Sequence, residues 1–251
     1  MTKIILRGCN GKMGSVVTQM VEEDENVVIA AGIDVSKGRE DKYPVFYSFA
    51  QCNIDADVII DFSSPVNVRE MLDFAMKRGI GIVICTTGFS KEDQELIEDA
   101  SKKVPILRSA NMSMGINLLL KLVKEAAQVL ADAGFDIEII EKHHNKKVDA
   151  PSGTALALAD SINEALNNRY EYVYNRTNIR APRVKNELGI SSLRGGTIVG
   201  EHEIIYAGSD EVIEIKHTAY SKAIFAKGAI QAAKFLSDKP PGMYNMNDVI
   251  G

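Results

Sequence analysis

Two apolar rhythms alternate along the first hundred or so residues. Ile4-Ile5-Leu6 is an unbroken apolar run that stops at Gly8, and after it Met13, Val16, Val17, Met20 and Val21 recur at three- and four-residue steps. The run reads as a buried strand, the stepped pattern as one face of a helix, and the glycines between them as the turn. Residues 27–33 form the next buried strand, ending at Asp34, and residues 56–62 the third, centred on Val58-Ile59-Ile60. The same reasoning predicts helix over 65–78, strand over 80–85, helix over 90–103 with Ser90 as its cap, and strand over 104–107. Strands that are apolar from end to end and alternate with helices belong to a parallel sheet covered on both faces. A doubly wound α/β unit is expected.

The texture changes after Asn111. Residues 115–133 form a long helix, and 136–141 a strand with Ile137 and Ile139 on one face and Glu138 and Ile140 on the other. Residues 154–167 are an alanine-rich helix, whereas 168–187 are polar, poorly periodic and read as a loop. Strands over 190–194, 196–207 and 211–219 follow one another, with Gly195-Gly196 and Gly208-Ser209-Asp210 as turns, which predicts antiparallel neighbours. Consecutive strands without helices between them indicate a second, α+β domain on a mixed, largely antiparallel sheet. A helix over 225–236 and a short tail after Pro240-Pro241-Gly242 end the sequence. The expected division is 1–113 with 222–251 for the first domain and 114–221 for the second.

With 251 residues and a 45% hydrophobic fraction, the chain has material for a sizeable core, which excludes a disordered tail-rich protein. Its 29 Lys and Arg against 34 Asp and Glu leave a formal charge of −5. Nucleic acid and anionic membranes are therefore not expected partners, since both are bound through clustered cations. Cys9, Cys52 and Cys85 form no CxxC pair and are odd in number, as befits a reduced compartment. The N-terminus has too few apolar residues before Arg7 for a signal peptide, and Lys121, Lys124 and Glu125 interrupt the most apolar longer stretch. A soluble, cytoplasmic protein is expected.

Gly8-Cys9-Asn10-Gly11-Lys12-Met13-Gly14 lies between the first strand and the first helix, where free backbone N–H groups and the helix dipole favour a pyrophosphate. Glycine lets the backbone approach a ligand with no Cβ in the way, and Asn10 tolerates a left-handed conformation. The G-x-x-G-x-x-G spacing departs by one residue from G-x-G-x-x-G. Asp34, 20 residues beyond Gly14 at the end of the second strand, strengthens it, because an acid there accepts hydrogen bonds from ribose hydroxyls. The first domain is thus read as a Rossmann-type dinucleotide-binding domain rather than one with a bare turn and a solvated acid. Asp34 favours the free ribose diol of NADH and Val35 offers no cation to a 2′-phosphate; Lys37 and Arg39, just beyond, permit NADPH as well.

The second constellation runs from Glu141 to Thr154. Lys142, His143, His144, Lys146 and Lys147 gather three lysines and two imidazoles in six residues of an acidic chain, suited to a carboxylate-bearing substrate. No Cys or carboxylate cluster completes a metal site with the histidines. Directly after them, Pro151-Ser152-Gly153-Thr154 opens the alanine-rich helix, giving a second helix N-terminus to an anion. His202 and His217, on alternating strands, read as core or interface histidines, and Arg194-Gly195-Gly196 as a turn, although an arginine on a loop beside the substrate domain could assist carboxylate binding.

Residues 141–155, E-x-H-H-x-x-K-x-D-x-P-S-G-T-A, closely resemble the signature of the 4-hydroxy-tetrahydrodipicolinate reductase (dihydrodipicolinate reductase) family of the diaminopimelate and lysine pathway. The resemblance spans essentially the whole chain: Gly8 to Gly14 resembles that family's glycine loop, Thr86-Thr87-Gly88-Phe89 its T-T-G-F loop, and Ala110-Asn111-Met112-Ser113 the segment linking its domains. Val199-Gly200-Glu201-His202 and Phe225-Ala226-Lys227-Gly228-Ala229 also resemble family segments. The resemblance implies NADH- or NADPH-dependent reduction of a cyclic, unsaturated dicarboxylate with loss of water. By motif position it implies cofactor contacts at Gly8, Asn10, Gly11, Lys12, Met13, Gly14, Asp34, Phe62, Thr86, Thr87, Gly88, Ala110, Asn111 and Met112. Substrate contacts are implied at His144, Lys147, Ser152, Gly153 and Thr154. His143 or Lys147 would supply the proton, His143 being the family's usual general acid and Lys147 its partner. Imidazole titrates near neutrality, which suits that task. A homotetramer is implied too, in keeping with an open sheet whose edges need covering.

Three positions depart from the family: Cys85 stands where glycine is common, Lys222 where arginine is usual, and Val35 where NADPH-preferring members often carry a base. Two other readings compete. One is a different NAD(P)-dependent dehydrogenase of this architecture acting on an amino-acid-derived imine; the other is a nucleotide-sensing module, which would need no proton donor such as His143 or Lys147.

Overall fold

The computed structural model describes residues 1–36, 38 and 42–251. Lys37 and Arg39, the two cations placed near Asp34 by sequence, lie outside the described residues. In chain order the elements are β1 (Thr2–Arg7), α1 (Lys12–Glu22), β2 (Val27–Ile33), β3 (Val45–Phe46), β4 (Val58–Asp61), α2 (Val68–Arg78), β5 (Gly81–Ile84), α3 (Lys91–Ser101) and β6 (Pro105–Arg108). There follow α4 (Met114–Leu130), β7 (Asp136–His143), α5 (Gly153–Ala165), β8 (Glu171–Val173), β9 (Glu187–Arg194), β10 (Gly200–Ala207), β11 (Val212–Ala219), α6 (Ala223–Leu236), β12 (Gly242–Tyr244) and α7 (Met246–Ile250). The chain divides into two compact units, Met1–Met114 with Ala223–Gly251, and Gly115–Lys222.

The first unit is built on a seven-stranded sheet in the order β12-β6-β5-β4-β1-β2-β3, parallel at every pairing. Successive side chains point to opposite faces, so continuous apolar strands feed two cores at once. Ile4, Leu6, Val58 and Ile60 pack with Val17 of α1 and Ala229 and Ala233 of α6. Ile5, Ile59, Ile82 and Ile106 pack on the other face with Met71 and Leu72 of α2 and Ile97 of α3. Helix α2 starts at Val68 rather than at residue 65 because its cap, Asn67, has φ 61°, a left-handed conformation that a right-handed helix excludes. Ser90 caps α3 through a full capping box with Asp93. The edge strands β3 and β12 have no counterpart in the sequence reading; at two and three residues they are too short to show a period.

The second unit carries a five-stranded sheet in the order β11-β10-β7-β9-β8. It is mixed, with a larger parallel share than the turn signals imply. β10 pairs antiparallel with β11 and β7, while β9 pairs parallel with β7 and β8. Gly195-Gly196 therefore closes no hairpin between β9 and β10, which flank β7 on opposite sides. Instead the Gly195 N–H donates to the His143 carbonyl at 2.9 Å. Within 168–187, expected as loop, lies β8, three residues long. Helices α4 and α5 cover one face: Ile116, Leu119, Val123, Ala155, Leu158 and Ile162 pack on Ile137, Ile139, Ile190 and Ile204.

Candidate active site

In the first unit the functional residues sit at the C-terminal ends of the parallel strands, where open α/β sheets bind ligands. Gly8 has φ +79°, and a Cβ there would lie 2.4 Å from the Phe62 carbonyl oxygen; at Gly14 it would lie 2.4 Å from the carbonyl oxygens of both Gly8 and Cys9. The chain can make this loop only with glycine at both positions. Gly11 caps α1 without a side-chain hydrogen bond, and the first turn, with Lys12 and Met13, holds no acid. The positive end of α1 is thus left to an incoming anion.

Asp34 closes the loop from the side. Its Oδ2 accepts from the Asn10 N–H at 2.9 Å, and its Oδ1 from the N–H and hydroxyl of Ser36 at 2.9 and 2.7 Å. Burial pushes the carboxyl pKa up, but these hydrogen bonds outweigh it and hold the group below its usual range. At neutral pH Asp34 is an acceptor. A cavity of about 420 Å³ opens beside it, lined by Gly8, Gly11, Asp34, Val35 and Phe62 together with Arg7, Tyr47, Ser63, Ser64 and Glu70. Its volume falls within the range of small-molecule pockets. Beneath it Arg7 pairs with the fully buried Asp61 at 3.3 Å.

Thr86, Thr87 and Gly88 follow β5. The Thr86 hydroxyl accepts from the Ser63 N–H at 3.1 Å, tying the loops after β4 and β5 together. Thr87, Gly88 and Ala110 line a second cavity of about 430 Å³ with Thr86, Arg108 and Ser109. Asn111 Oδ1 accepts from the Ser113 N–H at 2.8 Å, and the buried Met112 lies so close to α6 that a Cβ on Gly228 would overlap its carbonyl oxygen. Burial, with the charge of Asp61 added, pushes the Cys85 thiol well up. Cys85 is a packing residue and no thiolate.

In the second unit, the inward face of β7 reads Ile137, Ile139, Glu141, His143. Strand alternation puts all four on one side, so the apolar stripe turns ionic at its C-terminal end. Glu141 is completely buried. Arg194, at the end of β9, clasps it with two hydrogen bonds, Nη1 to Oε2 at 2.8 Å and Nη2 to Oε1 at 2.6 Å. His143 Nδ1 lies 2.6 Å from Oε2, and the Ser152 N–H donates to Oε1 at 3.2 Å. Burial pushes the Glu141 carboxyl up, but hydrogen bonds from Arg194, Ser192 and His143 overcome it and bring the pKa down to about 2.

Ser152 caps α5, its Oγ accepting from the Ala155 N–H at 3.2 Å and lying 3.1 Å from His202 Nε2. The His202 and His143 rings meet edge to face at 5.2 Å. Burial first, then the neighbouring His143, lowers the His202 pKa to about 4, so it is neutral in the cell's pH range. Lys147 Nζ pairs with Asp149 at 2.8 Å, and the Gly153 N–H also serves that carboxylate. Gly153 has open space where a Cβ would point; Thr154 follows it in the first turn of α5. The buried Nδ1 atoms of His144, His202 and His217 have no hydrogen-bond partner among the described residues.

The arrangement thus offers an imidazole held against a carboxylate, a serine at a helix N-terminus and a lysine, all within one short stretch of the second unit. Residues 2–112 match the family model described as dihydrodipicolinate reductase, N-terminus, and residues 115–250 match its C-terminus.

The chain belongs to the dihydrodipicolinate reductase family. It is 51% identical to the 4-hydroxy-tetrahydrodipicolinate reductase of Caldanaerobacter subterraneus subsp. tengcongensis, over 100% of this chain and 98% of that one. It is 47% identical to the enzyme of the same name from Clostridium tetani, over 98% and 96%. Among solved structures, a dipicolinate-bound dihydrodipicolinate reductase from Paenisporosarcina sp. TG-14 superposes with a TM-score of 0.83 over the whole of both chains; at 24% identity this is a likeness of fold. As a dihydrodipicolinate reductase family member the chain is an NAD(P)H-dependent oxidoreductase.

Among the described residues no helix is long and apolar enough to cross a membrane, and no group of three or more His, Cys, Asp or Glu is placed to hold a metal ion. Sequence reasoning passed over three members of the constellation: Glu141 as a buried carboxylate, Arg194 as its clamp rather than a turn residue, and His202 as the partner of Ser152. The period-two pattern carries a signal for the first. Continued beyond Ile137 and Ile139, it lands on Glu141, and an acid on a buried face requires a partner.

Proposed function

We propose that this chain reduces 4-hydroxy-tetrahydrodipicolinate to tetrahydrodipicolinate, with loss of water, in diaminopimelate and lysine biosynthesis. The observation that carries the assignment is the 141–155 segment, with His143 and Ser152 held on Glu141 and Lys147 paired with Asp149 on the loop between them, in a chain whose full-length relatives bear that enzyme's name. A nicotinamide cofactor, when bound, would supply the hydride. Gly8 and Gly14 give the loop a tight path that a Cβ would block against backbone carbonyls, the N-terminus of α1 behind it would hold the pyrophosphate, and Asp34 would accept from the ribose hydroxyls. Phe62, Thr86, Thr87, Gly88, Ala110, Asn111 and Met112, with Asn10, Lys12 and Met13, complete that contact set. The ionised Asp34 and the highly exposed, uncharged Val35 support a preference for NADH, with NADPH also accepted.

On the substrate side, His144, Lys147, Ser152, Gly153 and Thr154 hold the two carboxylates. Lys147 supplies charge, while the α5 N-terminus supplies the positive end of its dipole. Electron density arriving on the conjugated C=C–C=N system is quenched by a proton from His143, with Lys147 as its partner. The exposed Val212 and Ile213 of β11, at the edge of the second sheet, support a homotetramer. The composition supports a cytoplasmic enzyme.

A coupled assay with pyruvate, aspartate semialdehyde and the upstream synthase tests the assignment. Consumption of NADH or NADPH is expected, and its absence refutes the reductase activity. The double variant H143Q/K147A should lose turnover while binding cofactor normally; retained turnover moves the chemistry to other residues.

A further inference from the structure

We propose that Glu141, clamped by Arg194, is a positioning residue for His143: it keeps the ring proton on Nδ1 and so makes Nε2 the nitrogen that delivers a proton. This rests on the proposed role of His143 as proton donor.

Glu141 occupies a position that the strand pattern otherwise fills with isoleucine, and it is completely buried. A carboxylate there is tolerable only if its lone pairs are served. Arg194, at 2.6 and 2.8 Å, and the Ser152 N–H, at 3.2 Å, serve them with groups that can only donate. The bidentate arginine keeps the carboxylate ionised, and its pKa stands at about 2. His143 Nδ1 approaches Oε2 to 2.6 Å. An unprotonated Nδ1 would set its lone pair against a carboxylate oxygen at that distance, so Nδ1 carries hydrogen.

Neutral His143 is then the Nδ1–H tautomer, and the imidazolium carries its second proton on Nε2. Nε2 faces Gly200, where a Cβ would stand only 3.1 Å away; glycine keeps that side of the ring clear. In proton delivery the Nε2–H bond breaks, its electron pair stays on Nε2, and the proton goes to the substrate. What remains is the tautomer Glu141 already holds, so no proton passes to the carboxylate. The other titratable or charged groups around the pair are Arg194 of β9, His202 of β10, His217 of β11, and Lys147 with Asp149 on the loop after β7. His202 is neutral above about pH 4 and its partner is Ser152, and burial lowers the pKa of His217. Two ion pairs, Glu141 with Arg194 and Lys147 with Asp149, are therefore the ionised side chains around the His143 ring near neutral pH, and of these Glu141 touches it.

Nitrogen-resolved NMR of the histidine rings in the full-length protein, with H143Q providing the assignment, reads tautomer and titration directly. Wild type should show Nδ1–H in the neutral form. In E141Q that preference should vanish and the His143 titration and the alkaline limb of kcat should both move down by about one pH unit, with roughly ten-fold lower kcat at neutral pH. The KM for NADH should stay within about two-fold, because no cofactor contact is touched. E141D should recover part of the loss. Because E141Q leaves Arg194 without its carboxylate, E141Q/R194M removes both charges and carries the tautomer part of the test if the single variant does not fold. A neutral wild-type ring protonated on Nε2 overturns the proposal. So does a Glu141 variant that keeps both tautomer and alkaline limb while H143Q is inactive. Full turnover by H143Q instead refutes the proton-donor role itself.

Discussion

Gly14→Ala adds one methyl group to the loop and is expected to damage both fold and cofactor binding. Its Cβ would stand 2.4 Å from the carbonyl oxygens of Gly8 and Cys9 and 2.6 Å from the Cys9 carbonyl carbon, whereas real Cβ contacts do not fall below 3.0 Å. All three obstacles are backbone, so no side chain can rotate away. The loop must open by more than half an ångström at the point where a pyrophosphate would rest on it. Overpacking of this kind costs about 1–3 kcal/mol. Taken wholly from cofactor affinity, that is roughly five- to 150-fold in Kd; taken wholly from the fold, it lowers Tm by about 2–4 °C for each kcal/mol. Gly11→Ala is the internal control, because its Cβ would meet a single oxygen, that of Gly8, at 3.2 Å.

The assay is thermal denaturation with and without saturating NADH, alongside an NADH fluorescence titration. Ligand-induced stabilisation follows the ratio of concentration to Kd, so the two measurements separate loss of fold from loss of affinity. If Gly14→Ala matches wild type in both, or Gly11→Ala is equally damaging, the close approach of these carbonyls is not what requires glycine.

Val35→Arg places a cation beside the ribose site; an exposed ion pair of about 1 kcal/mol predicts roughly five-fold higher kcat/KM for NADPH with little change for NADH. Steady-state kinetics with both cofactors checks it, and an unchanged ratio means that no 2′-phosphate approaches residue 35. Stability should fall with acid in two steps. His202 has its pKa lowered from 6.5 to about 4, so between those values the unfolded chain takes a proton that the folded chain refuses. Glu141, lowered from 4.5 to about 2, contributes stability that is complete above pH 4.5 and lost on the way down to 2. Each step is worth about 3 kcal/mol. Tm measured from pH 7 to pH 3 should decline throughout, and His202→Gln should flatten the upper part; a wild-type Tm that is constant between pH 6.5 and 4 refutes the buried neutral state of His202.

The first unit was legible because a parallel sheet writes its burial into the sequence. Ile4-Ile5-Leu6 and Val58-Ile59-Ile60 must be apolar on both faces, and each run is followed by a helical period. Where burial is partial or an element is short, that writing fades. Val45–Phe46 and Gly242–Tyr244 complete the sheet edges through backbone hydrogen bonds to β2 and β6, which any side chain permits. The same limit explains the second sheet. Gly195-Gly196 marks a turn in the chain correctly, but a turn does not name the strand that pairs beyond it. Here β9 and β10 part to either side of β7, and Leu188, Ile190 and Ile204 still share one core with α4 and α5.

The candidate site was legible in its members and not in its electrostatics. From the sequence, Lys142, His143, His144, Lys146 and Lys147 make one cationic cluster in an acidic chain. Alternation along β7 takes it apart: Lys142 lies on the opposite face, paired with Glu201 at 3.2 Å, Lys146 is exposed, and Lys147 is held by Asp149. What faces inward is His143 against Glu141, with Arg194 from a strand 53 residues away in sequence. A local count of charges cannot see that pairing, because opposite charges separated in sequence meet only through the parallel register of β7 and β9. The inward row therefore carries one carboxylate, one guanidinium and one imidazole. Glu141 and Arg194 cancel, so the net charge that this row can offer a dianion is the proton on the His143 ring, the same proton that the reduction requires.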